Sequence, residues 1–83
     1  MQTRKQLLSD LDRLLADLCR EWGFCSRLSA ADLVAAGSVL NDVEFAHAVL
    51  RAEKMHSEYE LTWVRRIRKK FSARFGSSIS LGN

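Results

Sequence analysis

Cys19, Cys25, His47 and His56 are the residues of this chain whose types suit a metal, because thiolate and imidazole are the side chains zinc prefers. Their spacing argues against it. Structural zinc sites bring ligand pairs together over shorter gaps than the five residues between the cysteines and the eight between the histidines. The sequence therefore assigns no metal ligand. It reads Cys19 as a half-buried thiol on a helix, Cys25 as a loop thiol and the histidines as surface residues near helix ends. Nucleophilic catalysis needs a thiol or hydroxyl, a base and an orienting group in one cleft. Cys25, His47 and Asp42 supply the types, but any small helical protein with a Cys and a His does so. No glycine-rich phosphate loop, acidic metal cluster or cofactor motif is present, so no catalytic residue and no cofactor are assigned.

A third constellation combines charge with an aromatic ring. The chain carries a net charge of +3, but its cations are unevenly placed: residues 1–60 hold seven Lys/Arg against ten Asp/Glu, and residues 61–83 hold six Lys/Arg and no acid. Trp63, Arg65, Arg66, Lys69, Lys70 and Arg74 fall on or beside one face of the helix predicted there. A Trp among cations offers a flat apolar surface inside a field that attracts carboxylates or phosphates. The same residues also fit a plainer arrangement, in which Trp63 packs on a neighbouring helix and the cations are solvated.

The elements that hold these residues can be read from their ends. In a capping box, a Ser, Thr or Asn accepts from a backbone N–H of the first turn while an acid or amide three residues later reaches back. Four such pairs occur: Thr3 with Gln6, Ser29 with Asp32, Asn41 with Glu44, and Ser57 with Glu60. Apolar pairs flanking two of the caps, Leu28 with Leu33 and Leu40 with Phe45, form hydrophobic staples. Gly23, Gly37 and Gly76 stand where three helices should stop, and there is no proline.

The predicted fold class is thus all-α: a compact domain of four helices, two longer terminal ones flanking two short central ones. The helices are predicted over 4–21, 30–36, 42–53 and 58–75, within a single domain of residues 1–76 and a flexible tail of 77–83 in which Ile79 and Leu81 could dock. In the first helix Leu7, Leu11, Leu14 and Leu18 make a buried stripe, widened by Leu8 and Leu15. In the last, Leu61, Val64, Ile67, Phe71 and Phe75 do the same, with Trp63 off the stripe beside Lys70 and Arg74. Trp22 and Phe24 are expected to anchor the first connector to the core.

With 83 residues, one small core uses most of the apolar side chains, and 47% hydrophobic against 28% charged residues is the composition of a globular chain. No apolar run is long enough to span a bilayer. The N-terminal leucines are interrupted by Asp10, Asp12 and Asp17, unlike a secretory leader, which points to a cytoplasmic location. Two cysteines are too few for a secreted disulfide framework, so reduced thiols are expected.

Residues 29–48 compare with a helix-turn-helix, Val43 and Ala46 serving as its inner face, but Asn41, Asp42 and Glu44 would then open the recognition helix and repel phosphate. The functional expectation is a non-enzymatic regulatory, adaptor or inhibitor-type binding protein. It would dock on an acidic protein or macromolecular complex through Trp63, Arg65, Arg66, Lys69, Lys70 and Arg74. The alternative is nucleic-acid binding by the same helix. A membrane-surface role for that basic amphipathic helix ranks below both, and homodimerisation through the first helix could accompany either.

Overall fold

The computed structural model of the chain describes residues 3–25, 27–35, 39–56 and 59–80, with the backbone alone for Val34 and Ala35. Thr3 opens helix α1 (Arg4–Trp22) with a complete capping box: its hydroxyl accepts from the Gln6 N–H at 3.2 Å, and the Gln6 side chain accepts from the Thr3 N–H at 2.9 Å. Ser29 and Asp32 form the reciprocal pair before α2 (Ala30–Ala35), at 3.3 and 3.0 Å. Asp12 of α1 also accepts from the Ala30 N–H at 2.9 Å, so one helix supplies a cap to the next. Asn41 caps α3 (Asp42–Ala52) through a 2.7 Å bond from the Glu44 N–H.

The fourth predicted box falls on Ser57, outside the described residues. Helix α4 runs Leu61–Phe75, beginning three residues later than predicted, with Glu60 at its N-cap and no side-chain cap bond. The Tyr59 and Glu60 N–H groups instead bond to the His56 carbonyl. Leu61 consequently starts the helix at its edge and is 61% exposed, not part of the buried stripe.

Two strands correct the all-α expectation: the chain is mostly helical with a small two-stranded sheet. Val39–Asn41 (β1) pairs antiparallel with Ser78–Ser80 (β2), Leu40 opposite Ile79. With a period of two, that register turns Leu40 and Ile79 to the core together, and both are buried while Val39, Ser78 and Ser80 are exposed. The segment predicted as a flexible tail is thus part of the fold to residue 80. Ile79 docks, and Leu81 lies outside the described residues. The Ser77 carbonyl further accepts from the Asp42 N–H at 3.1 Å, fixing the end of the chain to the start of α3.

The core joins Leu11, Leu14 and Leu18 of α1 to Phe45, Val49 and Leu50 of α3 and to Val64, Ile67 and Phe71 of α4. The Phe45 and Phe71 rings sit 5.1 Å apart at its centre, both fully buried. Burying a side chain of this kind contributes roughly 1.5–3 kcal/mol, so these residues dominate the stability of so small a domain.

Three helix ends carry a residue of positive φ, one of them Gly76 (φ 80°) after α4. Gly23 (φ 78°) ends α1, its N–H bonding back to the Cys19 carbonyl at 2.9 Å and that of Phe24 to the Leu18 carbonyl at 3.3 Å. At the end of α3 a lysine, Lys54 (φ 60°), takes that conformation. The Lys54 N–H bonds to the Arg51 carbonyl and the Met55 N–H to the Leu50 carbonyl, the pattern of a Schellman motif. Gly37 lies outside the described residues.

Candidate functional site

The turn at Gly23 decides the fate of both cysteines. By folding the chain back over the last turn of α1 it brings the Cys19 and Cys25 Cα atoms to 4.4 Å, and the two form a disulfide. This corrects the expectation of reduced thiols, and it removes Cys25 from the nucleophile, His and Asp combination. Asp42, that combination's orienting acid, is held by Arg68 at 3.1 Å. The bond from Arg68 keeps its carboxyl below the usual carboxylate value. Among the described residues no group of three or more His, Cys, Asp or Glu is placed to hold a metal.

Between the two cysteines the chain carries Phe24, and just before the turn Trp22. Both lean on Trp63 of α4. The Trp63 ring lies 4.9 Å from Phe24 and 5.4 Å from Trp22, and Trp22 lies 6.3 Å from Phe24, all edge-on. Trp63 leaves the apolar stripe of α4 because its partners are the aromatic side chains of the α1 connector. The anchoring expected of Trp22 and Phe24 takes this form: both pack against the core cluster, as Trp63 does, and all three remain partly exposed. Edge-on pairs at these distances add about 0.5–1.5 kcal/mol each beyond area burial.

The cations divide into two groups. Lys70 is paired with Glu21 and lies 5.5 Å from the centre of the Trp22 ring. Arg74 reaches Asp17 and the Asp10 carbonyl, both at 3.2 Å. Together with Arg68 on Asp42, these three of the six C-terminal cations are bound to acids of α1 and α3. Arg66 stacks over Trp63 at 5.2 Å. Arg65, Arg66 and Lys69 are exposed and have no acidic partner among the described residues. The sequence located the basic face. It did not reveal that half of it serves as clamps between helices, because the acids concerned lie 26 to 57 positions away.

Trp22, Ala73 and the stems of Arg66, Lys69 and Lys70 enclose an open, mostly apolar groove of about 420 Å³. On α4, residues 66, 69, 70 and 73 follow helical spacing and share one face, so the small side chain of Ala73 makes the notch and the cations its rim.

Within residues 29–48, compared above with a helix-turn-helix, the described backbone holds a strand as well as two helices. A hydrogen-bonded strand, β1, leads directly into α3, and Val43, one half of the expected inner face, is exposed while Ala46 is buried. No helix among the described residues is long and apolar enough to cross a membrane. Comparison with protein-family models, curated proteins and solved structures finds no match to this chain.

Proposed function

We infer that the chain is a non-enzymatic binding protein, of regulatory, adaptor or inhibitor type, that docks on an acidic protein through the exposed part of the α4 basic face. The observation that carries this reading is the set of exposed cations on α4, Arg65, Arg66 and Lys69, of which Arg66 stacks on Trp63 of the Trp22–Phe24–Trp63 cluster and Lys69 lines the groove beside Trp22. Cations steer an acidic partner, and Trp and Arg are the side chains that most often anchor an interface.

Nucleic acid is the rival ligand, and charge arithmetic separates the two. Each neutralised phosphate adds about 0.9 to the slope of log affinity against log salt, so the three α4 cations without an acidic partner among the described residues support a slope of about 3, against the 6–10 phosphate contacts of committed duplex binders. A membrane-surface role would need the apolar face of α4, but Val64, Ile67 and Phe71 are buried in the core. A homodimer through α1 would likewise have only the half-buried Leu7, Leu8 and Leu15, since Leu11, Leu14 and Leu18 are buried.

A cytoplasmic setting is part of this proposal. The Cys19–Cys25 bond stands against it, because reducing compartments keep most thiols free, and a thiol count on protein taken rapidly from cells decides between them.

The test is a polarisation titration of labelled poly-glutamate and labelled random duplex DNA, at low and physiological salt, with an Arg66→Glu/Lys69→Glu variant alongside. Binding of the acidic polymer that persists at physiological salt and disappears in the variant is the expected result. Preferential duplex binding with a slope steeper than about 3 would replace the proposal with the nucleic-acid reading.

A further inference from the structure

The groove beside Trp22 says more about the partner than its net charge. We propose that the segment it takes is an acidic peptide stretch carrying one bulky apolar side chain, which enters the notch at Ala73 while flanking carboxylates meet Lys69 and Arg66. This rests on the acidic-partner reading and adds a chemical requirement to it. Four observations carry the requirement. The walls are an indole, a methyl group and the alkyl stems of three long cations. The rim holds Arg66 and Lys69 without acidic partners among the described residues, so an incoming carboxylate completes an ion pair there. Lys70 is already satisfied by Glu21 and serves as wall, its ammonium on the Trp22 ring. The indole itself is braced from behind by Trp63, so the wall exists before the partner arrives.

A second hollow, lined by Leu33, Val39, Leu40, Val43, Glu44, His47, Ala48 and Arg51, sets one carboxylate against one guanidinium, with a histidine beside them. That balance specifies no partner. The groove on α4 has an excess of positive charge and an apolar floor, and both features select the same ligand.

The experiment uses the full chain and a labelled acetylated peptide Glu-Asp-Glu-Leu-Asp-Glu-Asp, with two twins: one with Ala for the Leu, one with Gln and Asn for the acids. Polarisation at low salt is read for wild type and for Ala73→Leu, which fills the notch at an exposed position of a helix that tolerates leucine. Expected is at least about a tenfold loss of affinity on removing the peptide's Leu and a similar loss in Ala73→Leu, together with loss in the amide twin. If the Ala twin binds as tightly as the Leu peptide, the groove inference fails while the acidic-partner reading stands. If no acidic peptide binds, both fail. Equal binding of the amide twin would overturn the role given to Arg66 and Lys69.

Discussion

Opening the Cys19–Cys25 bond should destabilise the domain and disturb the basic-aromatic face at the same time. The cysteines are 6 positions apart, so the bond closes a ring of seven residues around Gly23. Cross-linking a ring of that size removes about 8 cal/mol/K from the unfolded chain, or about 2.4 kcal/mol at 25 °C. Set against the roughly 5–15 kcal/mol of a typical domain, and the low end expected of a small one, that is a large share. For a domain of this length each kcal/mol moves the melting temperature by about 4–8 °C, so the expected drop is about 10–20 °C. The assay is thermal and urea unfolding with and without a phosphine reductant, followed by intrinsic fluorescence. Both tryptophans of the chain, Trp22 and Trp63, belong to the cluster, so the signal reports the site itself. A Cys19→Ser/Cys25→Ser variant should match the reduced wild type and stay insensitive to reductant. Reduction that leaves the melting temperature within about 2 °C, or free thiols in the purified air-exposed protein, would refute the reasoning.

Further expectations concern the parts of the fold that local sequence conceals. Truncation after Gly76 removes buried Ile79 and exposes Leu40, so it should cost at least about 2 kcal/mol in urea unfolding, where a flexible tail would cost nothing. Ile79→Ala should reproduce most of that loss. Lys54→Gly relieves a left-handed lysine and should raise stability by about 0.5–1 kcal/mol, whereas a loss would show that the Lys54 side chain stabilises the turn. The Asp42 carboxyl, lowered by its bond from Arg68, should titrate below 3.8 when followed by NMR and move back towards that value in Arg68→Gln. A depressed carboxylate contributes stability above its ordinary value and loses it as pH falls through the folded one, so the benefit of Arg68 should vanish only in acid below 3.8.

How much could be read from the chain follows from distance along it. The capping pairs at Thr3, Ser29 and Asn41 and the leucine stripe of α1 are local signals, and each marks the helix that forms. The strands are three residues each, too short to display an alternation, and Leu40 and Ile79 reveal their common inward face only once paired. Leu61 follows the spacing of the α4 stripe, yet the helix begins at that residue and leaves it exposed. The disulfide hides behind a spacing that fits no metal motif. Its signal is Gly23, because a left-handed turn between the cysteines is what lays Cys25 back over Cys19. Trp63 was visible as an exception to its stripe, and Trp22 and Phe24 as aromatics in a connector. That the three meet is a fact of helix placement. The basic face was legible as composition, but which of its cations serve as clamps depends on Asp17, Glu21 and Asp42.

The most direct test of the proposed binding face is a backbone and indole amide map of the ¹⁵N-labelled protein titrated with poly-glutamate at physiological salt. Shifts confined to the Trp22 and Trp63 indoles and to residues 65–73 are the expected result. Shifts centred on Arg4, Lys5 and Arg13 instead, or no response from either indole, would contradict the assignment of this face as the place where a partner docks.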